Sequence, residues 1–292
     1  MASEELIDLH IHTSASDGSF SPRQIVTLAK NKGLKAIGIT DHDTIEGNEE
    51  ALQAGRELGM EVVPGVEISV DFKGQTIHIL GYYIDWKNEF LQLSLNKLKK
   101  FREERNPKII KKLNNLGVNI SYEEVKSVAG NETVVGRPHF AQVLINKGYV
   151  KDIDEAFKKY LKRGAPAYVE KKRLTPEEGI VLIKQAQGIP VLAHPYNIEG
   201  IKDQELEKLI LQFKMMGIEG IEAFYPFHSP YQTLKLIALA EHHHLSITGG
   251  TDFHGEQKPN IQLGYGRGDL RITYDLLIKL KEKHGKNQKQ SD

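Results

Sequence analysis

Apolar and polar positions fall in alternating blocks along this chain. Seven short apolar runs of strand type recur between residues 5 and 253: ELIDLHIHT, LKAIGIT, MEVVPGVEISV, QTIHILGYYID, IPVLAHP, GIEGIEAFY and LSITGGTDF. Most are separated by segments with helical periodicity. In SPRQIVTLAKNKG, for example, Ser21 suits an N-cap, Pro22 the first helical position and Gly33 the stop. Apolar runs that are continuous rather than alternating indicate strands covered on both faces, as in parallel βαβ units. About seven such strands predict an α/β fold of barrel type rather than an open sheet.

The middle of the chain breaks this rhythm. Residues 91–163 read as helical and highly charged, with Pro107 expected to kink or divide the first helix. We expect a barrel domain formed by 1–90 and 164–292, with 91–163 a helical insertion that caps it. The basic run KLKKFREER in the insertion reads as a solvated helix face. The polar tail HGKNQKQSD is expected to fray.

Composition narrows the chemistry. Lys+Arg and Asp+Glu both number 39, so no global charge draws the chain toward nucleic acid or an anionic membrane. There is no cysteine, so a metal must be held by His, Asp and Glu. The start lacks signal-peptide features, and no run is long enough to span a bilayer, which predicts a cytoplasmic protein without a membrane partner.

The candidate ligands gather at strand ends. His10 and His12 end the first strand and Asp17 follows it. Asp41, His42 and Asp43 follow the second, and Glu67 and His78 lie in the third and fourth. His194 closes VLAHP, and Asp252 and His254 close ITGGTDFHG. In α/β barrels the active site forms at the carboxyl ends of the strands. Six histidines and three carboxylates (Asp17, Glu67 and Asp252) would then share one mouth. His78 alone reads as an ordinary core histidine. His10 and His12 do not, because period two points both rings to one face. Nine such groups without partners would be costly to desolvate, and divalent cations answer that cost. His242, His243 and His244 at a helix end, and His284 in the tail, read as structural or exposed.

HIHTSASDG, GITDHDT, PGVEIS, TIHIL, AHP and TDFHG, in that order, resemble the polymerase and histidinol phosphatase (PHP) family of metal-dependent phosphoesterases. The resemblance implies a distorted seven-stranded TIM-like (β/α) barrel with two or three divalent ions, drawn from Mn, Fe, Zn or Mg. It implies one ion on His10, His12, Glu67 and Asp252 and a second on Asp17, His42 and His254. A third would use His78 and His194, with Glu67 bridging. Asp17 stands where some relatives carry His, which favours harder ions. The implied reaction is hydrolysis of a phosphate ester by metal-bound hydroxide, with Asp43 orienting a ligand or assisting the leaving group.

The substrate reading rests on VVGRPHFAQVL and FYPFHS. Arg137 and His139 are candidates to grip a phosphate, with His228 as a further contact and Tyr225 lining the mouth. The subgroup resemblance is to enzymes that remove the 3′-phosphate of nucleoside 3′,5′-bisphosphates and trim short oligonucleotides from the 5′ end. The expected partner is thus a small phosphorylated substrate, a nucleotide or short oligonucleotide, with no obligate protein partner. Two alternatives stay open: a histidinol-phosphate phosphatase, which needs no distal phosphate pocket, and a non-catalytic or polymerase-associated metal-binding module.

Overall fold

The computed structural model describes residues 5–130, 135–170 and 173–291. It separates into two compact units, Met1–Leu93 with Arg173–Asp292, and Ser94–Lys172.

The first unit is built on seven strands: β1 (Ile7–Ile11), β2 (Ala36–Ile39), β3 (Glu61–Phe72), β4 (Gln75–Tyr82), β5 (Ile189–Leu192), β6 (Gly220–Phe224) and β7 (Ser246–Gly249). They lie side by side in chain order in one curled α/β sheet that makes a half-barrel. Helices α1 (Pro22–Asn31) and α2 (Gly47–Leu58) follow β1 and β2, and α7 (Pro176–Gln185), α8 (Asp203–Met216), α9 (Pro230–His242) and α10 (Tyr274–Ser291) also belong to this unit. The helices between α2 and α7 lead into or belong to the second unit, described below. Ser21 and Gln24 form the capping box of α1, and Pro22 opens it as expected.

The sheet is mixed, where the sequence pattern indicates parallel strands. β1–β2–β3 and β5–β6–β7 pair in parallel, but β4 is antiparallel to both β3 and β5. The cause is local. Lys73 and Gly74 form a two-residue turn with φ of 53° and 85°, between Phe72 and Gln75, which pair across it. Two positive-φ residues are the geometry of a tight hairpin, so no crossover helix is needed. Reversal also places His78 in the amino-terminal half of its strand, opposite Ser69.

The strands are fully buried at nearly every position of β1, β2 and β5. One apolar cluster, including Leu9, Val63, Leu80, Val191 and Leu277, lies against one side, and a second, including Ile25, Ile37, Ala51 and Leu263, packs α1 and α2. The expected fraying of the tail is overturned: α10 (Tyr274–Ser291) continues through it. Three of its polar residues are anchored: His284 and Gln288 reach Gln187, and Asn287 donates to Glu219.

The second unit has its own core, including Ile109, Leu113, Val125, Phe140, Leu144 and Leu161. α3 (Glu89–Asn115) leads into it as one helix, so Pro107 does not divide it. α4 (Tyr122–Ala129), α5 (Arg137–Asn146) and α6 (Ile153–Ala156) follow. The unit extends beyond Arg163 because Ala167 is buried in its core and Lys112 donates to Tyr168 O at 2.6 Å. Arg105, expected on a solvated face, is buried, and the side chains of Arg102 and Glu103 lie outside the described residues. No helix among the described residues is long and apolar enough to cross a membrane.

Candidate metal centre

All nine candidate ligands come together, and Glu67 is their hub, although Glu67 and His78 lie inside β3 and β4 rather than at a strand end. Its Oε2 lies 3.3 Å from His10 Nε2, 3.2 Å from His12 Nε2 and 2.8 Å from His42 Nδ1. Its Oε1 lies 2.9 Å from His78 Nδ1 and 3.2 Å from His194 Nε2. Asp252 Oδ1 completes the first group, 3.3 Å from His12 Nε2 and 3.7 Å from His10 Nε2. Asp17 anchors another, with Oδ1 3.4 Å from His254 Nε2 and Oδ2 3.9 Å from His42 Nε2. His12 and His42 border more than one group, so the sets overlap more than the sequence motifs indicate.

The atoms fit a cation rather than one another. Asp17 Oδ1, His42 Nδ1, Glu67 Oε2 and His78 Nδ1 are buried without a hydrogen-bond partner of good geometry. Buried polar atoms are otherwise almost always paired. The two Nε2 atoms of His10 and His12 face each other at 3.1 Å. Such convergence of lone-pair atoms is what a divalent ion would hold.

The elements dictate this gathering. His10 lies in β1 with His12 just beyond its end, on the same face. The backbone of β7's exit crosses close to β1: Asp252 N donates to His10 O at 2.8 Å, and His12 N donates to Phe253 O at 2.9 Å. Gly250 makes that approach possible, because an added Cβ there would lie 2.2 Å from His10 Cβ. His194 and Asp252 sit at φ of 26° and 55°, uncommon values for side-chain-bearing residues and ones that recur at functional sites.

Several residues without an assigned role in the sequence reading support the cluster. Glu222 is fully buried on β6. Its Oε1 accepts from His10 Nδ1 at 2.8 Å, and its Oε2 from the His194 backbone N–H at 2.9 Å. Asp8 accepts from Thr251 N and Oγ1 and from Gly264 N, holding the loop that carries Asp252. Asp41 accepts from Thr13 N at 2.7 Å and Ser16 Oγ at 2.6 Å, shaping the segment before Asp17. Lys258 Nζ lies 2.7 Å from Asp252 Oδ2. A carboxylate inside an apolar strand, as in GIEAF or IDLHI, is the signal that marks Glu222 and Asp8.

Asp43 is buried at φ 51°, donates its N–H to Glu67 O at 2.8 Å and accepts from Ser69 N at 2.7 Å. It fastens the loop to the strand that carries Glu67. Tyr225 is buried, and its hydroxyl donates to Asp252 Oδ2 at 2.9 Å while accepting from Asn197. It thus holds a carboxylate instead of lining an open mouth. His228 donates from Nδ1 to Ala223 O at 3.0 Å, and burial pushes its pKa down, so the neutral ring keeps Nε2 as an acceptor. That suits a hydroxyl better than a phosphate oxygen. Arg137 and His139 belong to the second unit. There Arg137 donates to Leu161 O at 3.0 Å and lies over Phe157 and Tyr168, and His139 Nδ1 accepts from Gly136 N.

Charge in the cluster is polarised. Burial opposes ionisation of Glu67, but His42, His78 and His10 hold it well below the usual carboxylate range. Asp252 is held low in the same way by His12, His10 and Lys258, and Asp17 by His42, His254 and His12. Burial opposes charge on His12 too, yet Asp252 and Glu67 raise it to about 9. For His78 and His254 burial wins, and both fall to about 4.

These residues and this topology define the class. The family model of the PHP domain matches residues 8–173, and the chain belongs to the PHP domain family. It is 36% identical over 249 residues to a 5′-3′ exoribonuclease of Haemophilus influenzae, covering 85% of this chain and 89% of that protein. It is 33% identical over 270 residues to a 3′,5′-nucleoside bisphosphate phosphatase of Chromobacterium violaceum, covering 92% of each. A solved structure from Chromobacterium violaceum, described as an amidohydrolase with bound sulfate and no metal, superposes with a TM-score of 0.80 at 30% identity. It covers 95% of this chain and 96% of that one.

Proposed function

We propose that this chain is a metal-dependent phosphoesterase that releases the 3′-phosphate of nucleoside 3′,5′-bisphosphates and shortens 5′-phosphorylated oligonucleotides. The observation that carries the reading is the convergence of buried, unpartnered nitrogen and oxygen atoms on Glu67. The names of the relatives supply the substrate class.

His10, His12, Glu67 and Asp252 would hold one ion; Asp17, His42 and His254 a second; and His78 and His194, sharing Glu67, a third. When bound, such ions supply Lewis acidity toward phosphoryl oxygens and ease deprotonation of water near neutral pH. The chain's own contribution is orientation. Glu222 turns Nε2 of His10 inward by taking its Nδ1–H, and the Asp252 carbonyl does the same for His254 at 2.8 Å. Tyr225 and Lys258 fix Asp252 Oδ2, leaving Oδ1 facing the histidines.

We also read the curled sheet as the distorted barrel of this family, a reading supported by the hydrogen bonds between β1 and the segment after β7. From the GRPH segment we assign Arg137 and His139 to a substrate phosphate.

The test is phosphate release by the purified protein with Mn²⁺, Fe²⁺, Mg²⁺ or Zn²⁺. Adenosine 3′,5′-bisphosphate and a short 5′-phosphorylated oligonucleotide should be hydrolysed far faster than histidinol phosphate. A preference for histidinol phosphate would overturn the substrate assignment. Arg137→Ala should raise KM for the bisphosphate if that arginine grips phosphate.

A further inference from the structure

The loops after β6 and β7 carry a feature that the metal-type cluster does not use. Phe227 exposes 55% of its surface. Arg267 lies over its ring, the guanidinium carbon 5.8 Å from the centroid. The two residues are a shared wall of two cavities of about 440 and 490 Å³. The smaller is completed by Pro259 and Ile261, with Asn260 and Lys258. Lys258 also contacts Asp252 Oδ2, so one lysine side chain links this cavity to the cluster.

The pair is preformed. Arg267 sits between Gly266 and Gly268, whose φ values of 58° and 107° suit glycine. Gln262 and Gly266 exchange backbone hydrogen bonds at 2.7 and 2.8 Å, and Gly268 N donates to Tyr265 O at 2.8 Å. A Cβ on Gly266 would come within 3.1 Å of Pro226, the neighbour of Phe227. The turn is therefore seated against the segment that carries the aromatic ring. Arg267 lies over Phe227, and Asp269 lines the larger cavity beside it.

We propose that this cavity is a nucleobase subsite. This rests on the nucleotide reading above and adds where the base is held. A flat heteroaromatic ring stacks on Phe227, Pro259 and Ile261 supply apolar contact, Arg267 adds its cationic plane, and the Asn260 amide meets the polar edge of the base. Lys258 stands between base and reacting phosphate. A stacking platform of this kind tolerates any base, because every base offers a π face.

The test compares kcat/KM for adenosine 3′,5′-bisphosphate with that for the same bisphosphate lacking its base. Binding of adenosine 5′-monophosphate is measured separately by calorimetry. Phe227→Ala should cut the preference for the base-bearing substrate about tenfold, the size of one base–aromatic stack, and weaken nucleotide binding by a similar factor. Phe227→Trp should restore both. Met215→Ala, an exposed change on α8 (Asp203–Met216), should alter neither. If Phe227→Ala keeps both the preference and the affinity, the subsite is wrong even where bisphosphate hydrolysis stands. If the wild type releases no phosphate yet binds the nucleotide through Phe227, the subsite stands and the reaction assignment falls. A wild type that neither binds the nucleotide nor prefers the base overturns the subsite.

Discussion

Two groups of histidines in this chain have opposite fates. His10, His12, His42, His78, His194 and His254 come from five strands or the segments just after them and converge on Glu67, Asp17 and Asp252. His242, His243 and His244 are consecutive, at the end of α9 (Pro230–His242); His242 and His243 gather with the half-exposed Glu207, 3.1 Å from His243 Nε2, but with no second carboxylate in the group. Local histidine density is therefore the poorer guide to chemistry. What distinguishes the first group is where the sheet puts it: carboxylates meet imidazoles around the buried Glu67, and nitrogen and oxygen atoms are left without ordinary hydrogen bonds.

The sharpest way to break the contrast is at its hub. Glu67→Gln should remove bound metal and lower kcat about a thousandfold or more, since metal charge stabilisation amounts to several kcal/mol at 1.36 kcal/mol per tenfold. Elemental analysis and phosphate release check this, with circular dichroism confirming the fold. Gly250→Ala comes next. Its methyl would collide with His10 Cβ, so metal content and thermal stability should fall together.

Glu222→Gln tests orientation without touching the inward atoms. By analogy with carboxylates that steer ligand histidines, metal affinity or activity should drop about 10–100-fold. Unchanged metal affinity and activity would remove Glu222 from the site.

Protons provide a smaller, graded test in the metal-free protein. His78 and His254 refuse protons until about pH 4, whereas unfolded histidine takes them near 6.5. Their contribution to stability is full above 6.5 and is lost as pH falls toward 4. His12, raised to about 9, acts oppositely: its contribution is full below 6.5 and fades as pH rises through 9. Melting temperature in chelator should thus fall on both sides of about pH 6.5. Metal binding requires deprotonated ligands, so the stabilisation it adds should grow with pH. The smallest effect belongs to the other histidine group: His243→Ala should change stability by under about 1 kcal/mol and leave activity intact.

Much of the candidate site can be read from the chain because each candidate ligand is embedded in a short motif in or just after an apolar run. Asp8 and Glu222 are harder to read, since each partner lies on a distant strand: Thr251 for Asp8, and His10 and His194 for Glu222. Tyr225 shows the same limit, for its ring suggests a mouth residue and its hydroxyl is committed to Asp252. The reversal of β4 hangs on one two-residue turn, Lys73–Gly74, whose handedness an apolar pattern does not encode.

The sequence by itself determined the strand count, the block of helices in the middle and the list of ligand candidates, because burial on both faces and residue chemistry are written locally. Only the tertiary structure decided that β4 runs backwards, that Glu67 serves several histidines with both oxygens, and that Phe227 meets Arg267. Those facts depend on distances between residues far apart in the chain, which are set by register, a tight turn and the close crossing permitted by Gly250.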